Sequence, residues 1–270
     1  MIGRFFTSVR FLCMSSPRSI KLNGKTAVVT ASTDGIGFAV AQKLGLDGAH
    51  VVISSRKQDK VDSAKATLKK LNISVSGEVC HVTDSVQRTA LLNKIENDFG
   101  GLDILVLNAG VNPYFGPTLN TPEEAYDKIF NTNVKSTFLW IQQAVPLMKN
   151  RKNASITVVS SIAAFAPFQQ LGVYSMSKTA LVAMTKTFCS ELGVEGIRIN
   201  CVAPGVIKTK FSSALWKNTA MEKSILEKVP VGRLGTVEDC SGIVSFLSSD
   251  ESSYITGETF IVAGGMQSRM

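Results

Sequence analysis

Six short stretches of this 270-residue chain are continuously apolar and rich in β-branched residues: Ala27–Thr30, Val51–Ser54, Ile104–Leu107, Ile156–Val159, Ile197–Val202 and Phe260–Val262. Unbroken rather than alternating hydrophobicity marks strands buried on both faces. Between them run amphipathic segments of helical length, and that alternation predicts a parallel, doubly wound α/β sheet with helices on both faces. With 44% hydrophobic residues the chain can bury one sizeable core, so a single domain is expected over 22–267. No repeat or low-complexity tract interrupts it.

Two places along this pattern carry chemistry. Lys25–Thr30 runs into Ala31-Ser-Thr33-Asp34-Gly35-Ile36-Gly37 and then a helix-like stretch to Asp47. Strand, glycine-bearing turn and helix N-terminus together offer free N–H groups and a favourable dipole to a pyrophosphate. Farther on, Tyr174 and Lys178 stand four apart, on one face of a helix, with Ser161 thirteen positions upstream at the end of a strand. An ammonium beside a phenol favours the phenolate and brings a proton donor of pKa about 10 closer to working pH. Such a tyrosine can act as general acid to a carbonyl, with Ser161 as a second hydrogen-bond donor.

These residues resemble the short-chain dehydrogenase/reductase family from about Leu22 to about Gly265. The family's glycine turn is similar to Thr30–Gly37, its Asn-Asn-Ala-Gly to Leu107-Asn108-Ala109-Gly110, and its Pro-Gly-x-x-x-Thr to Pro204–Thr209. The resemblance implies a catalytic tetrad of Asn133, Ser161, Tyr174 and Lys178. Within the family, Ser-Thr-Asp-Gly-Ile-Gly, Ser-Ser-Arg-Lys-Gln, Val-Asn-Pro-Tyr-Phe-Gly and Ser-Tyr-Ile-Thr-Gly-Glu-Thr look most like a group of peroxisomal NADPH-dependent carbonyl and retinal reductases. Two positions depart from the family pattern: Ala31 replaces a glycine, placing a methyl where it crowds the turn, and Leu107 replaces an asparagine.

The implied chemistry is hydride transfer between a nicotinamide and the carbonyl of a lipophilic ketone or aldehyde, with Tyr174 delivering the proton. Lys178 would lower the pKa of that tyrosine and bind ribose hydroxyls, and Asn133 would hold a water leading to solvent. Ala31, Thr33, Asp34 and Ile36 of the turn, then Asn108, Ala109 and Gly110, and then Ile207 and Thr209 would bind the cofactor. After the second strand stands Ser55-Arg56-Lys57 where an NAD site would place a carboxylate, so Arg56, with Lys57, is expected to pair the 2′-phosphate of NADP(H). His81 and Val82 would line the adenine. Phe168, with Phe165, Leu171, Tyr114, Phe115 and the stretch Phe211–Trp216, would form an apolar pocket under a mobile lid spanning Lys210–Val229. Retinoids, steroids, quinones and aromatic α-dicarbonyls stay open as substrates. A 3-oxoacyl thioester reductase and a non-catalytic dinucleotide sensor are the alternatives. The family also implies a homotetramer built through helices flanking Asn133 and Tyr174 and through the last strand.

The net charge of +8 is a weak sign of nucleic acid, because Arg4, Arg10, Arg18, Lys21 and Lys25 supply five of those charges in a segment without acids. Residues 1–21 put Ile2, Phe5, Phe6, Val9 and Leu12 on one side of a helical wheel, with Arg4, Thr7 and Ser8 opposite. They read as a basic targeting-like or disordered segment, with Met14 as an alternative start. No apolar run reaches the length of a membrane span. The chain closes with Ser268-Arg269-Met270, similar to the Ser-Lys-Leu peroxisomal address, so an import receptor is an expected partner. The peroxisome is the expected location and the mitochondrion the alternative. Five cysteines (Cys13, Cys80, Cys189, Cys201 and Cys240) are odd in number and lack Cys-x-x-Cys spacing, so reduced thiols are expected. His50 and His81 do not make a zinc set, and no metal is expected.

Overall fold

A computed structural model of the chain describes residues 21–268. Seven parallel strands form one sheet: β1 (Thr26–Val29), β2 (His50–Ser55), β3 (Val75–Val79), β4 (Ile104–Leu107), β5 (Ala154–Val159), β6 (Ile197–Pro204) and β7 (Thr259–Val262). Their order is β3-β2-β1-β4-β5-β6-β7, so the direction of winding reverses between β1 and β4. In that register Ala27 pairs with Val51 on one side and Ile104 on the other. The six expected strands lie where expected, with ends shifted by one or two residues. The seventh, β3, has no continuous apolar run in its Val-Ser-Gly-Glu-Val sequence because it is an edge strand, half exposed along most of its length.

Successive side chains of each inner strand serve opposite layers. Val28, Leu105 and Leu107 join Leu91, Ile95, Trp140 and Leu181 in one core, beneath α3 (Ser85–Phe99), α5 (Ser136–Met148) and α6 (Gly172–Gly193). Ala27, Val29, Ile104 and Val106 join Val40, Leu44, Leu68 and Leu247 in the other, beneath α1 (Gly35–Leu46), α2 (Gln58–Lys70) and α9 (Val237–Ser248). Two-sided burial is the physical reason for the unbroken hydrophobicity of the strands. The helices start on local signals: Asp84 accepts from the Gln87 N–H at 3.1 Å to begin α3, and Thr236 with Asp239 forms a capping box on α9. The expected basic segment over 1–21 lies, Lys21 apart, outside the described residues, as do Arg269 and Met270 of the closing tripeptide.

Where α1 meets the loop leading to β3, Gly45 leaves no room for a side chain, since a Cβ there would stand 2.2 Å from Ile73 Cγ2. Gly45→Ala is therefore expected to lower stability by about 1–3 kcal/mol despite a helix-propensity gain of about 1 kcal/mol. In an Ile73→Ala background, itself destabilised by loss of a buried side chain, Gly45→Ala should cost little or nothing. Denaturant unfolding of the cycle checks it; a stabilised single variant would contradict the packing.

Candidate active site

The chemistry-bearing residues gather at the carboxyl ends of β1, β4, β5 and β6, beside the reversal between β1 and β4. The turn after β1 is held rigidly. Ser32 donates through Oγ to Val29 O at 2.6 Å and accepts from Ser54 N at 3.0 Å. Thr30 Oγ1 accepts from Asn108 N at 3.0 Å, while Asn108 Nδ2 donates to Thr30 O and Ala31 O, both at 3.1 Å. Pinned this way, Ala31 adopts φ +50°, the left-handed region that costs an L-residue about 1–2 kcal/mol and that glycine, the residue of the family pattern, enters freely. Gly37 is required for contact: its Cβ would meet Asn108 Nδ2 at 2.4 Å. Asp34 caps α1 by accepting from Gly35 N and also receives Lys210 Nζ at 2.6 Å from the opposite rim. The Lys210 ammonium holds the Asp34 carboxyl below the usual carboxylate range.

Tyr174 and Lys178 lie on successive turns of α6, buried against the end of β5. Lys178 Nζ donates to Val159 O at 2.9 Å, Ser160 Oγ donates to Lys178 O at 2.7 Å, and Ser161 accepts from Ala163 N at 3.1 Å to start a short 3₁₀ turn over Ile162–Ala164. Ser161 also hydrogen-bonds the Tyr174 phenol. Gly110 faces the lysine, and a Cβ there would stand 3.2 Å from Nζ. Asn133 reaches this group from a wide π-type turn, Asn131–Lys135, that joins α4 (Glu123–Phe130) to α5. Its fully buried amide accepts from Val111 N at 2.8 Å and donates to Val111 O at 3.1 Å and Ser177 Oγ at 3.0 Å. Ser177 in turn donates to Tyr174 O at 2.7 Å. Both amide hydrogens are thus committed to protein groups, which makes Asn133 a clamp between the loop after β4 and α6.

The direction expected for Tyr174 is reversed in the folded chain. Burial pushes the phenol up to about 12, the Ser161 hydrogen bond only partly offsetting it. Burial also brings the Lys178 ammonium down to about 8. Its Nζ lies 5.6 Å from the tyrosine ring centre and is turned to Val159 O, and withdrawing both groups from water outweighs their mutual help.

Above these groups opens a cleft of about 360 Å³. Ala31, Asp34, Ile36, Asn108 and Gly110 line its α1 end, and Ile207 and Thr209 its far side. Phe115, Phe168, Leu171, Phe211 and Leu215 make apolar walls around Ser161, Tyr174 and Lys178. Thr33, Ser55, Arg56, Lys57, His81, Val82 and Ala109 do not line it, nor do Tyr114, Phe165 and Trp216. Ser55, Arg56 and His81 lie at neighbouring strand ends, where Cys80 N donates to Ser55 O at 2.9 Å. The segment expected as a lid forms α7 (Ser213–Trp216) and α8 (Thr219–Leu226), seated on Ile162 and Val206. Ser212 Oγ, donating to Ile207 O, and Trp216 Nε1, donating to Thr209 O at 3.2 Å, fold its start back on the cleft.

The family model described as Enoyl-(Acyl carrier protein) reductase matches residues 30–267. Dehydrogenase/reductase SDR family member 4 of Oryctolagus cuniculus is 54% identical over 249 residues, 92% of this chain and 96% of that protein. The chain belongs to the short-chain dehydrogenase/reductase family. It is also 50% identical to the human Dehydrogenase/reductase SDR family member 2, mitochondrial, over 95% of this chain and 91% of that one. Among solved structures, a short-chain type dehydrogenase/reductase from Mycobacterium ulcerans superposes with TM-score 0.88 at 28% identity, covering 91% of this chain and 90% of that one. The family is one of nicotinamide-dinucleotide oxidoreductases.

Sequence reading missed the residues that hold the family's groups in place: Thr30, Ser32, Val111, Ser177 and Lys210. The first two stand inside the glycine turn and Ser177 inside Tyr-x-x-x-Lys, so motif position was their available signal. Lys210, 176 positions from Asp34, had none.

Lys178 binds its proton less tightly in the folded chain than unfolded, so the unfolded state holds more protons between pH 8 and 10.5 and stability rises with pH across that window. Tyr174, raised, has the opposite sign and loses its contribution as pH climbs from 10 to 12. Lys178→Met is expected to raise the unfolding midpoint at pH 7 and to flatten the rise above pH 8. A variant no more stable, with the rise intact, would contradict the buried charge.

Proposed function

We propose that this short-chain dehydrogenase/reductase is an NADPH-dependent reductase of lipophilic ketones and aldehydes, including aromatic α-dicarbonyls, quinones, retinal or ketosteroids. The observation that carries the reading is the seating of Ser161, Tyr174 and Lys178 in one cleft, apolar-walled around them and opening at its other end onto the N-terminus of α1. The residues fit a dinucleotide. The first turn of α1 carries no acidic side chain, and Gly35, at φ +58°, has no Cβ between its backbone and Thr209 Cγ2, which stands 3.6 Å from where one would be, so a ligand can approach the backbone. The side chains of Arg56 and Lys57 are exposed, with no hydrogen bond or ion pair among the described residues, and are available to a 2′-phosphate. Asp34, the acid of the glycine turn, already has its charge offset by Lys210.

When bound, the reduced nicotinamide supplies the hydride that goes to the carbonyl carbon. Tyr174, kept protonated at any working pH by its burial, gives its proton to the carbonyl oxygen as that carbon is reduced. Ser161 supports the same oxygen through its hydroxyl. Lys178 holds a positive charge beside the developing phenolate below about pH 8, and Asn133 fixes the loop that carries Gly110 against it. Ile207 and Thr209 bound the far side of the same cleft.

The same proposal takes the chain as a homotetramer and as a peroxisomal protein. Exposed Tyr126, Phe138 and Met176 on the helices flanking Asn133 and Tyr174 support the first, and Ser268-Arg269-Met270 the second. Light scattering at four chain masses, and loss of peroxisomal import on removal of 268–270 with no shift to mitochondria, are their tests.

Purified protein is expected to oxidise NADPH with 1-phenyl-1,2-propanedione, with kcat/KM falling as pH rises through about 8. Tyr174→Phe should lower kcat at least 10²-fold. Arg56→Ala should raise the KM for NADPH about tenfold and leave that for NADH unchanged. Equal use of NADH by the wild type, or a Tyr174→Phe enzyme of normal rate, would overturn the reading.

A further inference from the structure

Asn112 lines the cleft in the loop that runs from Gly110 to Phe115, two residues past the former and three before the latter's apolar wall. Every other polar side chain lining the cleft is engaged. Asn108 binds Thr30 and Ala31, Ser160 the main chain of Lys178, Thr209 and Ser212 bind each other, and Lys210 binds Asp34. Ser161, Tyr174 and Lys178 make up the reacting group. Asn112 is half-buried and has no hydrogen-bond partner among the described residues.

It is also held in place by its neighbours. Val111 is clamped through both its N–H and its C=O by the Asn133 amide, and Pro113 restricts residue 112 to extended backbone. Beyond it, Tyr114 donates to Pro117 O at 3.1 Å and Gly116 N to Gln170 O at 3.1 Å, tying this loop to the segment that carries Phe168 and Leu171. The Asn112 amide is therefore a preorganised and unpartnered donor and acceptor on the cleft lining, a placement that favours a ligand bearing a matching polar atom.

We propose that Asn112 is a specificity-determining residue that donates a hydrogen bond to a second oxygen of the substrate, so that the enzyme selects carbonyl compounds with another oxygen close to the reacting one, as in α-dicarbonyls. This rests on the carbonyl-reductase reading and names its preferred substrate class. A partner oxygen satisfies the amide when the apolar walls exclude water, whereas a monocarbonyl of the same shape leaves it unpaired.

The test compares 1-phenyl-1,2-propanedione with propiophenone, using NADPH, for wild type, Asn112→Leu and Asn112→Asp. Leucine keeps the size without polarity; aspartate keeps size and polarity without the N–H donors. Both variants should lose about tenfold in kcat/KM for the diketone and little for the monoketone, with the KM for NADPH unchanged. Equal losses on both substrates, or retention of the diketone preference by Asn112→Asp, would overturn the role while leaving the reductase reading intact. A raised KM for NADPH with an unchanged substrate ratio would overturn it too, assigning Asn112 to the dinucleotide. A wild type that oxidises NADPH with neither compound defeats both readings.

Discussion

The burial of the Lys178 ammonium beneath Tyr174 is the constraint around which the rest of the site is arranged. A cation withdrawn from water needs a fixed acceptor, and Val159 O supplies it at 2.9 Å from the end of a strand buried along its whole length. That acceptor stays in place because β5 is paired on both sides, to β4 and β6. The lysine's main chain is tied to the same strand by Ser160, and Gly110 keeps the space above Nζ clear. The wide turn at Asn131–Lys135 brings Asn133 to the loop carrying Gly110 and, through Ser177, to the turn of α6 that holds Tyr174. Proton donor, cation and cleft wall therefore share one framework.

At the other end of the cleft the constraint lies in backbone rather than charge. Ala31 is kept in a left-handed conformation by hydrogen bonds from the Asn108 amide to Thr30 O and Ala31 O, and the main chain of Asn108 is itself anchored to Thr30. The strain sits where the chain must turn sharply to start α1 and present its N-terminus, a location where stored strain is repaid by binding. Lys210 reaches across to Asp34 from the segment that covers the cleft, linking the two rims by an exposed pair that contributes little to stability.

Much of this was legible in the sequence, and the exceptions have physical reasons. The six other strands declared themselves by their unbroken apolar runs; β3, at the edge, mixes Ser76, Gly77 and Glu78 into its five residues and reads as loop. Gly77 is there because a Cβ would stand 2.6 Å from Val61 Cγ1, a contact invisible before α2 is packed on the sheet. Tyr174, Lys178, Ser161 and Asn133 were found by spacing and resemblance, and the structure brings them together. The direction in which Tyr174 shifts was not legible, because spacing reports the neighbouring cation but not how completely both groups leave water. Nor did spacing reveal that both hydrogens of the Asn133 amide would be given to Val111 and Ser177.

The central claim, a buried lysine held as a weakened acid beside a protonated tyrosine, is tested most directly by ¹⁵N NMR titration of the lysine side chains in the cofactor-free protein, with Lys178→Met assigning the signal. The account predicts a lysine that releases its proton near pH 8. A Lys178 signal that titrates at or above 10.5, the ordinary range of an exposed ammonium, would contradict it.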